Sequence, residues 1–273
     1  MTLAELRRRK GRTPPLVWVT AYDQPTAHLA QDAGVDTILV GDSVGTVVLG
    51  HASTLAVTLD DMVRFGQAVA RGAPSTLRVV DLPYLTYANV DRAVASAGRL
   101  MVEASAHAVK LEGGAHVAPQ VEALTRYGIP VVGHLGYTPQ ASPLLGRRVQ
   151  GRGDAGGRLR EDAARLVDAG IVALVLEMVP AELASAVTAA LDVPTIGIGA
   201  GPGTDGQVLV LHDLLGLTQG HVPRFSKAYA DVAGVVRGAL AQYAEDVREG
   251  RFPAPEHEFH DGPGGGAPAD PRP

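Results

Sequence analysis

With 273 residues, 46% hydrophobic and 19% charged, the chain can bury one large core and fits a single α/β barrel or two smaller domains. A net charge of −5 and a pI near 6.0 give no general basic surface for nucleic acid, and the lack of cysteine excludes disulfides, thiolate nucleophiles and thiolate metal sites. The longest apolar runs are strand-sized and the N-terminus has no signal-peptide core, so a cytoplasmic protein without a membrane or nucleic-acid partner is expected.

The basic stretch Leu6 to Arg12 reads as the solvated end of an N-terminal helix. Eight short apolar runs follow, at 16–23, 37–43, 76–83, 108–114, 129–136, 171–180, 193–201 and 207–213. Between most of them lie amphipathic stretches: PTAHLAQDAG stops at Gly34, TLDDMVRFGQAVARG stops at Gly72, and NVDRAVASAGRLMVEA opens on the cap Asn89. REDAARLVDAG and PAELASAVTAALD continue the alternation, with Pro180 placed for a first helical position. Strands that are continuously apolar rather than alternating predict a parallel sheet covered on both faces. Eight such units at this length predict a (β/α)8 barrel over 1–252; a doubly wound sheet lacks the GxGxxG after its first strand.

The loop from Gly151 to Arg158 is glycine-rich and polar, and suits either a mobile active-site loop or a plain connector. Ser226 to Gly250 reads as the last barrel helix or its extension. The Pro/Gly-rich segment 253–273 predicts a tail disordered at its end.

The strand ends carry the chemistry. Run two ends in Asp42, run three in Asp81, run four in Lys110 and Glu112, run five in His134 and run six in Glu177. Taken singly, Asp42 or Asp81 has a simpler reading as a helix cap or loop anchor. Taken together, five successive strands bring ionisable groups to the C-terminal rim, the catalytic face of a barrel. Four carboxylates aimed at one pocket repel, and a hard cation such as Mg2+, shared with substrate oxygens, relieves that repulsion. Zinc suits the set less well, because His134 is its one nitrogen ligand. A metal held by two carboxylates, beside a lysine and a further Glu, suits a 2-oxo acid chelated through its keto and carboxylate oxygens. In that reading Lys110 binds the substrate carboxylate and Glu177, after the apolar VALVL, is the general base; Lys110 as a Schiff-base nucleophile is the competing chemistry.

GDSVG, GHASTLAVTLDDM, DLPY, VKLEGG, GHLGYTPQ, VQGRGD, LEMVP, IGIGAGPGTDGQVLVLHDLLGL and PRFSKAY, in this order from about Val17 to His260, together resemble the ketopantoate (3-methyl-2-oxobutanoate) hydroxymethyltransferase family. The resemblance implies a Mg2+-dependent (β/α)8 barrel that makes 2-dehydropantoate (ketopantoate) from 3-methyl-2-oxobutanoate in pantothenate and coenzyme A biosynthesis. It also implies 5,10-methylenetetrahydrofolate as the one-carbon donor and a homodecamer as the assembly. By resemblance, Asp42 and Asp81 match the metal-binding aspartates and Glu112 the acid that joins them, directly or through water. Asp42, Ser43, Asp81 and Lys110 match the substrate contacts, Glu177 the proton acceptor, and His134 a pocket histidine with either a direct role or one behind the ligands. GRRVQGRG departs from the family's usual glycine-tyrosine-lysine lead into this loop, and the proline-rich tail is an extension. Two other readings stand beside this one. A barrel resembling the phosphoenolpyruvate mutase and isocitrate lyase group shares strand-end acids, but its lyase branch relies on a cysteine-bearing loop. The other is a non-catalytic barrel assembly.

Overall fold

A computed structural model describes residues 1–146, 148–220 and 222–260. All eight apolar runs form strands: β1 (Leu16–Thr20), β2 (Thr37–Val40), β3 (Leu77–Asp81), β4 (Ala108–Glu112), β5 (Val131–Gly136), β6 (Ala173–Glu177), β7 (Thr195–Ile198) and β8 (Gly206–Leu209). They pair in parallel, each with the next, and β8 returns to β1, which closes the barrel. Closure explains why most runs read as apolar throughout: one face fills the interior and the other meets helices, except on β1 and β8, where Val17 and Gln207 are exposed.

The helices are α1 (Leu3–Arg8), α2 (Gln24–Asp32), α3 (Val44–Val47), α4 (Leu59–Gly72), α5 (Val90–Val102), α6 (Ala118–Arg126), α7 (Ser142–Leu145), α8 (Ala155–Asp168), α9 (Ala181–Ala190), α10 (Leu211–Leu214) and α11 (Val232–Arg248). Local caps set several starts. Thr58 and Asp61 close a capping box on α4, and the Asn89 side chain accepts from the Arg92 N–H at 2.9 Å. Pro180 stands one place earlier than expected, at the N-cap of α9. The start of α6 follows Val117 with no side-chain cap, and Pro119 in its first turn is the local signal there.

Three expectations need correction. The basic N-terminal stretch is not simply solvated: Leu6 is fully buried in the barrel-interior cluster with Leu16, Trp18 and Val132, so α1 plugs the N-terminal mouth. There the Lys10 ammonium sits 2.9 Å from the buried Asp205 carboxylate, which also accepts from the Gly11 and Thr195 amides. The Gly151 loop is shorter than expected, because α8 already begins at Ala155. Finally, α11 starts at Val232 and buries none of its residues, so it is not a barrel-covering helix. Val236 and Leu240, 45% and 62% exposed, lie on a stripe continued by Tyr243 and Val247. The Phe252 ring packs on Tyr243 and on His257, which ties the first residues of the tail back to α11. The disorder expected at the end of the tail falls on 261–273, outside the described residues.

Candidate active site

The register of the parallel strands brings the rim together. Asp81 is paired with Lys110, Glu112 with His134, and Gly136 with Glu177. Asp81, Lys110, Glu112 and His134 are all buried and, with Asp42, Ser43 and Glu177, line one cavity of about 1690 Å³ at the C-terminal mouth. That exceeds the range of about 300–1,000 Å³ usual for a small-molecule site, which leaves room for a second substrate beside a small acid. His134 is not the last residue of its strand, since β5 runs on to Gly136.

The glycines of GDSVG have a steric cause. A Cβ on Gly41 would lie 2.9 Å from Ser43 Oγ, and one on Gly45 would lie 2.6 Å from Val57 Cγ2. The chain must turn tightly here to place Asp42 and Ser43 past the end of β2. Neither side chain acts as a simple local cap. The Asp42 Oδ2 accepts from Gln140 Nε2 at 2.8 Å, 98 residues away, and its backbone N–H donates to Asp81 Oδ2 at 3.0 Å. Ser43 occupies the N-cap of α3 without a side-chain cap bond and instead meets the Tyr22 hydroxyl at 2.7 Å. After Glu177 the chain reverses through Met178, whose φ of 48° lies in the left-handed region that non-glycine residues seldom enter.

Charge is concentrated in this pocket. Burial, with repulsion from Glu112, pushes the Asp42 carboxyl up to about 6. Burial likewise pushes Asp81 up to about 6 and Glu112 up to about 7, against the pull of Lys110. Burial alone would lower the Lys110 ammonium, but attraction to Asp81, Glu112 and Asp42 outweighs it and holds the pKa above the usual lysine range. Its Nζ stands 3.2 Å from Asp81 Oδ2 and 3.3 Å from His134 Nδ1. An amine held charged is a poor nucleophile, which argues against the Schiff-base reading.

The histidine tautomer follows from its neighbours. An ammonium can only donate, so His134 Nδ1 accepts from Lys110, and the ring proton belongs on Nε2. That nitrogen lies 3.3 Å from Glu177 Oε2, too poorly aimed for a full hydrogen bond but placed to orient the carboxylate. Burial and the Lys110 charge both lower the His134 pKa, which keeps the ring neutral.

Two buried carboxylate oxygens, Asp81 Oδ1 and Glu112 Oε1, have no hydrogen-bond partner among the described residues. Glu112 Oε1 does lie 3.3 Å from His134 Nδ1, but with that nitrogen accepting from Lys110 the contact sets acceptor against acceptor. Unsatisfied buried oxygens on acids that already repel one another fit a hard divalent cation. Among the described residues no three His, Asp or Glu side chains close into a complete cage. Mg2+ keeps several waters and takes one or two carboxylates plus substrate oxygens.

Sequence reading missed Tyr22, Tyr87 and Gln140. Tyr22 stands in the first apolar run and Gln140 in GHLGYTPQ, but the partner of each is remote in the chain, so no local pattern marks them.

A family model described as Ketopantoate hydroxymethyltransferase matches residues 1–255. A 3-methyl-2-oxobutanoate hydroxymethyltransferase of Moorella thermoacetica is 55% identical over 262 residues, which cover 95% of this chain and 97% of the relative. The enzyme of the same name from Thermus thermophilus is 54% identical, covering 94% and 99%. Among solved structures, a phosphoenolpyruvate phosphomutase from Streptomyces platensis subsp. rosaceus aligns with a TM-score of 0.62 at 14% identity, over 92% of this chain and 88% of the other. A phosphonopyruvate hydrolase solved with oxalate and Mg++ aligns equally well, with the same identity and coverage. At that identity the likeness to the two structures is one of fold.

Proposed function

Because the chain belongs to the ketopantoate hydroxymethyltransferase family and transfers a hydroxymethyl group to 3-methyl-2-oxobutanoate, we propose that its strand-end acids bind that 2-oxo acid together with a divalent cation. The observation that carries the site assignment is the pair of partnerless buried oxygens, Asp81 Oδ1 and Glu112 Oε1, in a pocket that Asp42, Glu177 and Lys110 also line. Asp42 and Asp81 hold the cation and Glu112 joins them directly or through water, Mg2+ being the one whose coordination habits suit them. When bound, the cation supplies Lewis-acid stabilisation of the negative charge that develops on the keto oxygen. Lys110, already charged and fixed by Asp81 and His134, neutralises the substrate carboxylate. Asp42, Ser43 and Asp81 complete the substrate contacts, with the Tyr22 hydroxyl orienting that of Ser43. Glu177, whose side chain is 15% exposed at the cavity wall, accepts the C3 proton, and the neutral ring of His134 aims it. The C3 carbon then bonds to the one-carbon unit of 5,10-methylenetetrahydrofolate, water supplies the hydroxyl oxygen of 2-dehydropantoate, both C–N bonds of the donor break, and tetrahydrofolate leaves with the C3 proton and the second water proton on its two nitrogens. The volume of the cavity beyond the acid cluster supports a second, larger substrate there. The product assay with 3-methyl-2-oxobutanoate, methylenetetrahydrofolate and Mg2+ tests the whole reading, and no 2-dehydropantoate would overturn it. The mutase and lyase alternative shares the barrel at 14–17% identity, against 52–55% for the hydroxymethyltransferases.

Metal affinity is expected to depend on pH in a definite direction. Protons compete with the cation for Asp42, Asp81 and Glu112, whose carboxyls are raised to about 6, 6 and 7. Binding of Mg2+ should be weak at about pH 5.5 and tighten as pH rises through 6 to 7, with protons released on binding. Calorimetric titration at several pH values reads this directly. A flat affinity across that window would remove these acids from the metal site.

We also propose a closed homo-oligomer, with the family's decamer as the expected assembly. The apolar stripe on α11, exposed in the single chain, supports self-association. Mass measurement in solution should give a multiple of 28.3 kDa, and a stable monomer at micromolar concentration would contradict it. Among the described residues no helix is long and apolar enough to cross a membrane.

A further inference from the structure

We propose that Gln140 is the positioning residue that sets the spacing of the Asp42 and Glu112 carboxylates and thereby the affinity of the site for its divalent cation. This rests on the metal reading above. Gln140 lies in a turn, Pro139–Ala141, just past β5, and is only 6% exposed. Its backbone N–H donates to Glu112 Oε2 at 2.9 Å. Its side-chain amide donates one hydrogen to Asp42 Oδ2 at 2.8 Å and the other to the Leu82 carbonyl at 3.0 Å. Its Oε1 accepts from the Tyr87 hydroxyl at 2.5 Å.

These partners leave no freedom in how the amide is placed. The Leu82 carbonyl can only accept, so the NH2 must face it, and Oε1 must face Tyr87, which therefore donates. Burial raises the Tyr87 pKa, so its hydroxyl keeps the proton that this bond needs. The Tyr87 carbonyl in turn accepts from Gln120 Nε2 at 3.2 Å, which anchors the arrangement to α6. One residue thus ties the loops after β2, β3 and β5 to the end of β4. It uses one oxygen of each of two acids that repel, and leaves Glu112 Oε1 without a hydrogen-bond partner. Partners that orient metal-ligating carboxylates typically change metal affinity by about 10–100-fold when lost.

The test is Mn2+ binding to the purified full chain without substrate, read by the free-Mn2+ electron paramagnetic resonance signal. Gln140→Met keeps the length of the side chain and loses its donors, and Gln140→Glu keeps the shape but sets an acceptor against Asp42 Oδ2 and the Leu82 carbonyl. Both should raise the Mn2+ Kd by about 10–100-fold. Activity of Gln140→Met should recover toward wild type at saturating metal, which a general structural defect would not allow. Tyr87→Phe removes only the hydroxyl that orients the amide and should raise Kd by roughly three- to tenfold, the size of one neutral hydrogen bond. It decides the matter if the Gln140 variants do not fold. Wild-type protein that binds Mn2+, with unchanged Kd in folded Gln140→Met or in Tyr87→Phe, overturns the role of Gln140 alone. Wild-type protein that binds no Mn2+ overturns the metal reading and the proposal with it.

Discussion

Asp42→Asn is expected to abolish Mg2+-dependent turnover while the barrel stays folded. A Lewis acid at a developing oxyanion contributes several kcal/mol, and each 1.36 kcal/mol or so is tenfold in rate, so a loss of about 10³-fold or more is expected. The fold should survive, because asparagine keeps an oxygen for the Gln140 amide and the backbone N–H still reaches Asp81 Oδ2. The substitution also removes one of three buried negative charges that push one another's pKa upward, so melting of the metal-free protein should be unchanged or higher. Asp81→Asn should lose activity to a similar degree for a different structural cost. It takes the carboxylate from the buried Lys110 ammonium, and breaking one side of a buried pair is destabilising even where the intact pair is not worth much. Turnover, Mn2+ binding and thermal melting of the two variants separate these effects. A wild-type rate in either one would remove that acid from the metal site.

The second large effect concerns proton abstraction, which needs no folate. Wild-type protein in D2O with Mg2+ and 3-methyl-2-oxobutanoate alone should exchange the C3 hydrogen for deuterium, followed by proton NMR. Glu177→Gln keeps the shape and an oxygen facing His134 Nε2 but cannot accept the proton. Exchange should therefore fall by about 10²-fold or more, the usual range for a positioned general base. If Glu177 merely caps the helix that follows, the variant should lose about 1 kcal/mol of stability and exchange almost normally. The structure already weakens that alternative, since α9 begins with Pro180 as its N-cap and no side-chain cap bond. Normal exchange in a folded Glu177→Gln protein would remove Glu177 as the base.

The sequence by itself determined the barrel and the identity of the rim acids. Eight continuously apolar runs admit few architectures other than a closed parallel sheet, and residues at the ends of parallel strands share one face whatever the details of packing. Asp42, Asp81, Lys110, Glu112, His134 and Glu177 could therefore be placed together before any coordinates, and the structure does bring them into one cavity. Only the tertiary structure decided how they are held. The Gln140 amide, the Tyr87 and Tyr22 hydroxyls and the Leu82 carbonyl act across up to 98 residues, and such contacts leave no periodicity in the chain. The same is true of the N-terminal plug: a basic stretch reads as solvated because its charges are visible in sequence, while the cavity that receives Leu6 and the carboxylate that receives Lys10 exist only once β8 has closed on β1. For α11 the reason is the converse. An amphipathic pattern announces that a helix has an apolar face, but the pattern does not say which surface covers it, and here the barrel of the same chain does not.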